Sequence, residues 1–279
     1  MNTLRTILLM GFLTAIIVSL GSLWGRGGMI IAFLFAVGTN FFSYWFSASM
    51  ALKMSGAQPV SREEAPELYQ IVERLAGRAN IPVPDIYVIP TDAANAFATG
   101  RDTNHAAIAV TQGIMRILNW QELEGVLAHE LSHVKNGDIL ITSIAAVLAS
   151  VITMMAHNLM YFGGSSDRDR SVNPIFAIAL AIVAPFAAML VQLAISRSRE
   201  YEADASGARL CGKPMELADA LKDIEESSYQ TPMQTNPALS SMYIIKPNPN
   251  MFTKLFSTHP PTADRVARLQ QMANKGMAE

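Results

Sequence analysis

Four long apolar stretches organise this chain, and none of them contains Asp, Glu, Lys or Arg: Thr6 to Gly25, Gly27 to Leu52, Ile139 to Ser166 and Ser171 to Ser196. Each reaches the roughly 20 residues that cross a bilayer core. Helices of soluble proteins average about a dozen residues and carry charge on one face. The pattern therefore predicts membrane spans at about 6–25, 28–52, 139–161 and 173–196. The first two form a hairpin (residues 1–52) turning at Gly25-Arg26-Gly27-Gly28, and the last two form a second hairpin (139–196). A cleaved signal peptide is the alternative for the first stretch, because Arg5 precedes an apolar run. That run exceeds an h-region of about 7–15 residues, no A-x-A-like site follows, and a second apolar segment begins at once. Whether spans three and four cross fully or dip partway is open.

The polar segments between and after the spans, 53–138 and 197–279, lie on the same side of the membrane because two spans separate them. In the first, Ser61 and Glu64 form a capping-box pattern ahead of a helix with Leu68, Tyr69, Val72 and Leu75 on one face. "DIYVIP" and "HAAIAVT" read as short strands on either side of a turn-rich stretch. Asn119 with Glu122 starts another helix. In the second, Pro214 opens a helix, "HPPTADRVARLQQMA" predicts one more, and the Pro- and Asn-rich stretch between them reads as a long loop able to cover a site.

Composition sharpens the picture. The chain has 279 residues, 51% apolar and only 16% charged, too greasy for an ordinary soluble enzyme. A formal net charge of −2 without a Lys/Arg run argues against a nucleic-acid partner. Lys53, Arg62, Arg74, Arg78, Arg101, Arg116 and Lys135 outnumber Arg26 of the first hairpin loop, so both polar segments are expected to face the cytoplasm. The single cysteine, Cys211, can form no intramolecular disulfide.

The chemistry lies in His129-Glu130-Leu131-Ser132-His133, an H-E-x-x-H pattern on the Asn119 helix. A spacing of four stacks the two imidazoles on one face, where both reach one tetrahedral Zn²⁺. Such a metal lowers the pKa of water towards 7, and Glu130 is placed to take that water's proton as it attacks a carbonyl. A catalytic zinc needs a third protein ligand. His157 lies about six helical turns beyond His133, carried across the membrane by the third span, and reads as an interfacial or bundle histidine; His105 reads as a loop histidine. "SRSREYEADASGARL", immediately after the fourth span, returns to the face that His133 leaves. There Glu200 and Asp204 are spaced as a ligand and the carboxylate behind a zinc histidine. Glu202 as ligand is an alternative, as is a solvated or headgroup-contacting run, with Arg197 and Arg199 near lipid phosphates. Gly137-Asp138 marks a joint, Gly ending one helix and Asp capping the next.

These motifs resemble the HtpX-type heat-shock zinc metalloproteases of bacterial inner membranes, relatives of the CAAX prenyl endopeptidases. The likeness spans essentially the whole chain: "NAFATG", "HAAIAVT", "HELSHVKNGD", "SREYEADASG", "STHPPTADRVARL" and the apolar hairpins. It implies a mainly α membrane protein, four transmembrane helices with a zincin-like α+β cytoplasmic protease domain. It also implies a single Zn²⁺ on His129, His133 and Glu200, Glu130 as general base and then proton donor, and Asp204 behind a histidine. By the same resemblance, Asn95, Ala96 and Phe97 belong to a strand that pairs with substrate. His259 and Arg265 are candidates to stabilise the oxyanion or to buttress Asp204, with helix capping as the alternative. Expected partners are the lipid bilayer and misfolded or unassembled membrane proteins, extending to unfolded soluble ones, in quality control and the stress response. A prenyl-protein peptidase and a chaperone with a structural zinc are the rival readings.

Overall fold

The computed structural model describes residues 2–149, 197–233, 235, 239–245 and 260–276. Most of the predicted spans 139–161 and 173–196, together with His157 and His259, lie outside the described residues.

Helices α1 (Asn2–Gly21) and α2 (Gly25–Ser55) form the first hairpin. Their turn falls on a short 3-10 helix at Ser22–Trp24, ahead of the expected Gly25–Gly28 run. Gly25 adopts φ +73° as the cap of that 3-10 turn, so the following glycines belong to the helix. Asn40 Nδ2 donates to Thr14 Oγ1 at 2.8 Å and joins the two helices, a polar contact of the kind that fixes helix pairs within a bilayer. Phe33, Phe35 and Phe41 are exposed along α2, whereas Ser43, Ser47, Ala51 and Leu52 are buried where its last turns meet the rest of the protein. Among the described residues α2 alone is long and apolar enough to cross a membrane; the apolar stretches Thr6–Ser19 and Ile139–Ala149 are shorter.

The polar segments build one α+β unit. Its sheet runs β1 (Gln58–Pro59), β2 (Asp85–Ile89), β4 (Ala106–Thr111), β3 (Ala96–Gly100). β2 and β4 are parallel and the outer pairs antiparallel. Side chains alternate between faces with the period of two that strands impose. Ile86, Val88, Ile108 and Val110 join the larger core with Leu68 and Leu75 of α3 (Pro66–Ala79) and Leu123, Leu127 and Leu131 of α5 (Trp120–Asn136). Phe97, Ala107 and Ala109 pack on the other face against Leu52, Leu239 and Tyr243. A short α4 (Gln112–Ile117) links β4 to α5.

The two sequence caps behave differently. At Asn119 both bonds of the capping box form, Asn119 Oδ1 accepting from the Gln121 and Glu122 N–H groups and Glu122 from the Asn119 N–H, and α5 starts there. Ser61 and Glu64 also bond reciprocally, but they close a turn. Pro66 excludes Ala65 from helical geometry, so α3 begins later than the box suggests. Beyond α5, the short apolar helix Ile139–Ala149 (α6) begins, and the chain returns as α7 (Arg197–Cys211), α8 (Pro214–Gln230) and α9 (Thr262–Asn274).

Candidate metal centre

Helix α5 carries the H-E-x-x-H residues, and every position from Leu123 to Ser132 is buried. It lies against α7 at Gly207, where a Cβ would stand 2.8 Å from the His129 main-chain nitrogen. Only glycine permits that approach, and it brings the preceding turns of α7, with Asp204 and Glu200, up to the histidines. The buried face of α7 is Arg199, Glu200, Ala203, Asp204, Gly207, Ala208 and Cys211, a helical repeat. Glu202 is exposed on the opposite side.

The two imidazoles turn their Nε2 atoms towards each other, 3.2 Å apart. Glu200 faces both, its oxygens 3.8 Å from His129 Nε2 and 3.6 Å from His133 Nε2. Three ligand atoms from these residues lie within 4.8 Å of one another, a group able to hold a metal ion. Tetrahedral bonds of about 2.0–2.1 Å place two ligand atoms about 3.3 Å apart, so this donor set fits a zinc-sized ion.

Each imidazole meets a carboxylate on its other nitrogen. His129 Nδ1 is 2.9 Å from Asp204 Oδ1. Arg265, fully buried, donates from Nε to Asp204 Oδ2 at 2.8 Å and from an NH2 group to Oδ1 at 2.7 Å. Burial alone would raise the Asp204 pKa; the Arg265 charge and the hydrogen bonds from Arg265 and His129 overcome this and hold it at about 2. His133 Nδ1 lies 3.3 Å from Asp138 Oδ2. Burial presses the His133 pKa down, but the Asp138 hydrogen bond and the Glu200 and Glu130 charges raise it to about 9 in the metal-free protein. Glu130 is buried beside both rings. Desolvation drives its pKa up, partly offset by the histidines and by the Ala98 N–H that donates to its carboxylate.

That Ala98 bond sets the relation between the site and the sheet. Thr111 N–H donates to Asn95 O and Arg101 N–H to His105 O, so odd-numbered residues of β3 face β4 and even-numbered ones turn their main chain outwards. The outward edge runs beside Glu130, but its first part is covered. Ile244 N–H donates to Ala96 O at 3.0 Å. The Asn95 side chain donates to Ile245 O at 2.8 Å and accepts from its N–H at 3.3 Å. Tyr243 sits edge-on to Phe97, and Arg265 donates to Ile244 O at 2.9 Å. The loop-like stretch thus includes an ordered strap, beginning with a 3-10 helix at Leu239–Met242.

Of the residues singled out in the sequence, His129, Glu130, His133, Glu200, Asp204 and Arg265 converge, whereas Asn95, Ala96 and Phe97 lie under the strap. One residue stands elsewhere than sequence alone suggests, and another makes a contact that sequence reasoning missed. Arg199 is not at a headgroup collar: it is 8% exposed, 3.4 Å from Asp138, because it shares the inward face of α7; Arg197 is exposed. Asp138 lies at the joint as expected, following Gly137 in the left-handed conformation, and its side chain reaches back to His133. The i+5 spacing after a left-handed glycine was the available signal for that contact. His105 is a loop residue, paired with Asp102.

Residues 62–273 match peptidase family M48. A Protease HtpX homolog from Burkholderia multivorans is 49% identical over 99% of this chain and 98% of its own. One from Pyrococcus furiosus is 54% identical over 96% and 95%. Among solved structures, Ste24p of S. mikatae is similar with a TM-score of 0.49 and 20% identity, over 92% of this chain and 66% of that one. The chain belongs to peptidase family M48, and within it to the proteases called HtpX homologs.

Proposed function

We propose that this peptidase is a multi-pass membrane zinc endopeptidase whose catalytic unit faces the cytoplasm at the bacterial inner membrane. The observation that carries the reading is the meeting of His129, His133 and Glu200, from two chain segments, beside a Glu130 carboxylate held on the edge strand. Zn²⁺ bound by those three residues would polarise a substrate carbonyl and lower the pKa of water towards 7. Glu130 then takes the proton of the attacking water and delivers it to the leaving amine. Asp204 orients His129, and Arg265 buttresses Asp204; its Nε and Nη2 on that carboxylate and its Nη1 on Ile244 O favour this role over an oxyanion contact. An extended substrate pairs with the outward main chain of β3 from the Ala98 carbonyl onward, a sequence-tolerant mode of binding suited to misfolded or unassembled membrane proteins and to unfolded soluble ones. The charge bias of the polar segments and the exposed aromatic face of α2 support the membrane setting.

The test is cleavage of unfolded casein by the full-length protein in detergent, with and without chelator, beside Glu130→Ala. Cleavage that zinc restores after chelation and that Glu130→Ala lacks is the expected result. Folded, zinc-loaded protein that leaves casein and membrane-protein substrates intact would overturn the reading.

A further inference from the structure

The surroundings of the two histidines repeat one pattern with different residues. Behind His129 stand Asp204 and then Arg265. Behind His133 stand Asp138, 3.3 Å from Nδ1, and then Arg199, its NH1 3.4 Å from Asp138 Oδ1. Asp138 is 3% exposed and Arg199 8%, so the pair is buried. A buried carboxylate stripped of its cation is costly, and the partner therefore constrains where the carboxylate can point. The positions of the pair in the chain add to this. Asp138 is the residue at which the polypeptide leaves α5, directly after the left-handed Gly137. Arg199 immediately precedes Glu200 in α7. One contact therefore spans the two roots of the intervening segment, next to a histidine on one side and next to the acidic ligand on the other.

We infer that Asp138 and Arg199 are a positioning pair for His133: Asp138 accepts the Nδ1–H and so leaves Nε2 as the metal donor, while Arg199 holds Asp138 and locks the roots of segment 139–196 together. The inference rests on His129, His133 and Glu200 holding zinc. An imidazole has one N–H when neutral, and a carboxylate at Nδ1 decides which nitrogen carries it. Without Asp138 the ring is free to place that proton on Nε2, where it blocks the metal, and to rotate out of line with Glu200. Without Arg199 the carboxylate loses its anchor, and Glu200 loses a tie to the helix opposite.

Zinc affinity by competition with a fluorescent chelator, and the visible absorption of the cobalt-substituted protein, test this on the full-length chain in detergent. Asp138→Ala is expected to weaken zinc binding about 10–100-fold and to shift the cobalt bands. Asp138→Asn, which keeps an acceptor at the same place, should recover part of both. Arg199→Met should weaken zinc binding to a lesser degree, with Arg199→Lys partly restoring it. Glu124, another buried carboxylate of α5, paired with Arg74 and Lys213, is the control: Glu124→Ala should lower thermal stability and leave the cobalt spectrum unchanged. Wild-type affinity and an unshifted spectrum in Asp138→Ala would overturn the inference, as would equal zinc loss in Asp138→Ala and Glu124→Ala. Should Asp138→Ala not fold, Arg199→Met with wild-type affinity overturns it as well. A wild-type protein that binds no zinc would instead overturn the metal-site reading on which the inference stands.

Discussion

His129 and His133 occupy equivalent places in one five-residue motif, yet their side chains are 1% and 15% exposed. The inner one is sealed by Gly207 of α7 and braced through Asp204 by Arg265, a residue 136 positions further along the chain. The outer one is held at the joint where α5 ends, through longer contacts. The difference teaches that a single helix supplies the spacing of a metal site while two unrelated parts of the chain supply its rigidity. The deep half depends on the docked α9, which carries Arg265; the shallow half depends on the roots of the 139–196 segment.

The largest expected effect separates chemistry from holding. Glu130 lies beside both histidines and, in the proposed scheme, braces neither. Glu130→Gln should reduce peptide cleavage about 10²–10⁴-fold with zinc content unchanged, measured by turnover and metal analysis on the same preparation. Zinc loss in that variant would erase the distinction. Next, Asp204→Ala should weaken zinc binding about 10–100-fold, and by more than the equivalent change at Asp138, because the inner carboxylate is the more firmly held. Equal losses at both would remove the contrast between the inner and outer halves.

Gly207→Ala strikes the inner histidine through the backbone. The added methyl would stand 2.8–2.9 Å from His129 main-chain atoms, and overpacking of this kind costs about 1–3 kcal/mol. A lowered melting temperature with weakened zinc binding is expected; wild-type values in calorimetry would show that α7 can shift without cost to the inner site.

The smallest effect sharpens the outer half. His133, at about 9 in the metal-free protein, carries a proton at neutral pH. Its raised pKa contributes stability to the metal-free fold that is fully present below the unfolded value of about 6.5 and is lost as pH rises through about 9. Zinc must displace that proton. Binding at pH 7.5 should therefore release about one proton from this residue, and affinity should rise about tenfold per pH unit between pH 7 and 8.5 from this source alone. Calorimetry in buffers of different ionisation enthalpy reads the proton directly, and no release would contradict the assignment.

Much of the site was legible because its spacing is helical. Four-residue intervals put His129 with His133 and Glu200 with Asp204 on common faces whatever surrounds them, and the Asn119 box marks the start of α5. The apolar runs likewise announced the α1–α2 hairpin, and short β-like runs separated by a turn-rich stretch announced β2 and β4. Local signals failed where proline or distance intervened. The Ser61 box formed without starting a helix because Pro66 reset the backbone after it. Arg199 looked like a headgroup contact since its burial depends on which face of α7 meets α5, and that was decided by Gly207. Nothing local joins Ile244 to Ala96, or Arg265 to Asp204.

By itself, then, the sequence determined the residues capable of chemistry, the helices that carry them and the apolar segments flanking them, since each of these follows from interactions within a few residues along the chain. Only the tertiary structure decided that Asp204 stands behind His129 and Asp138 behind His133, that Arg199 turns inward to Asp138, and that the outer edge of β3 is partly covered. Those contacts cross from one chain segment to another, and they exist only after packing has brought helices from both onto one buried centre.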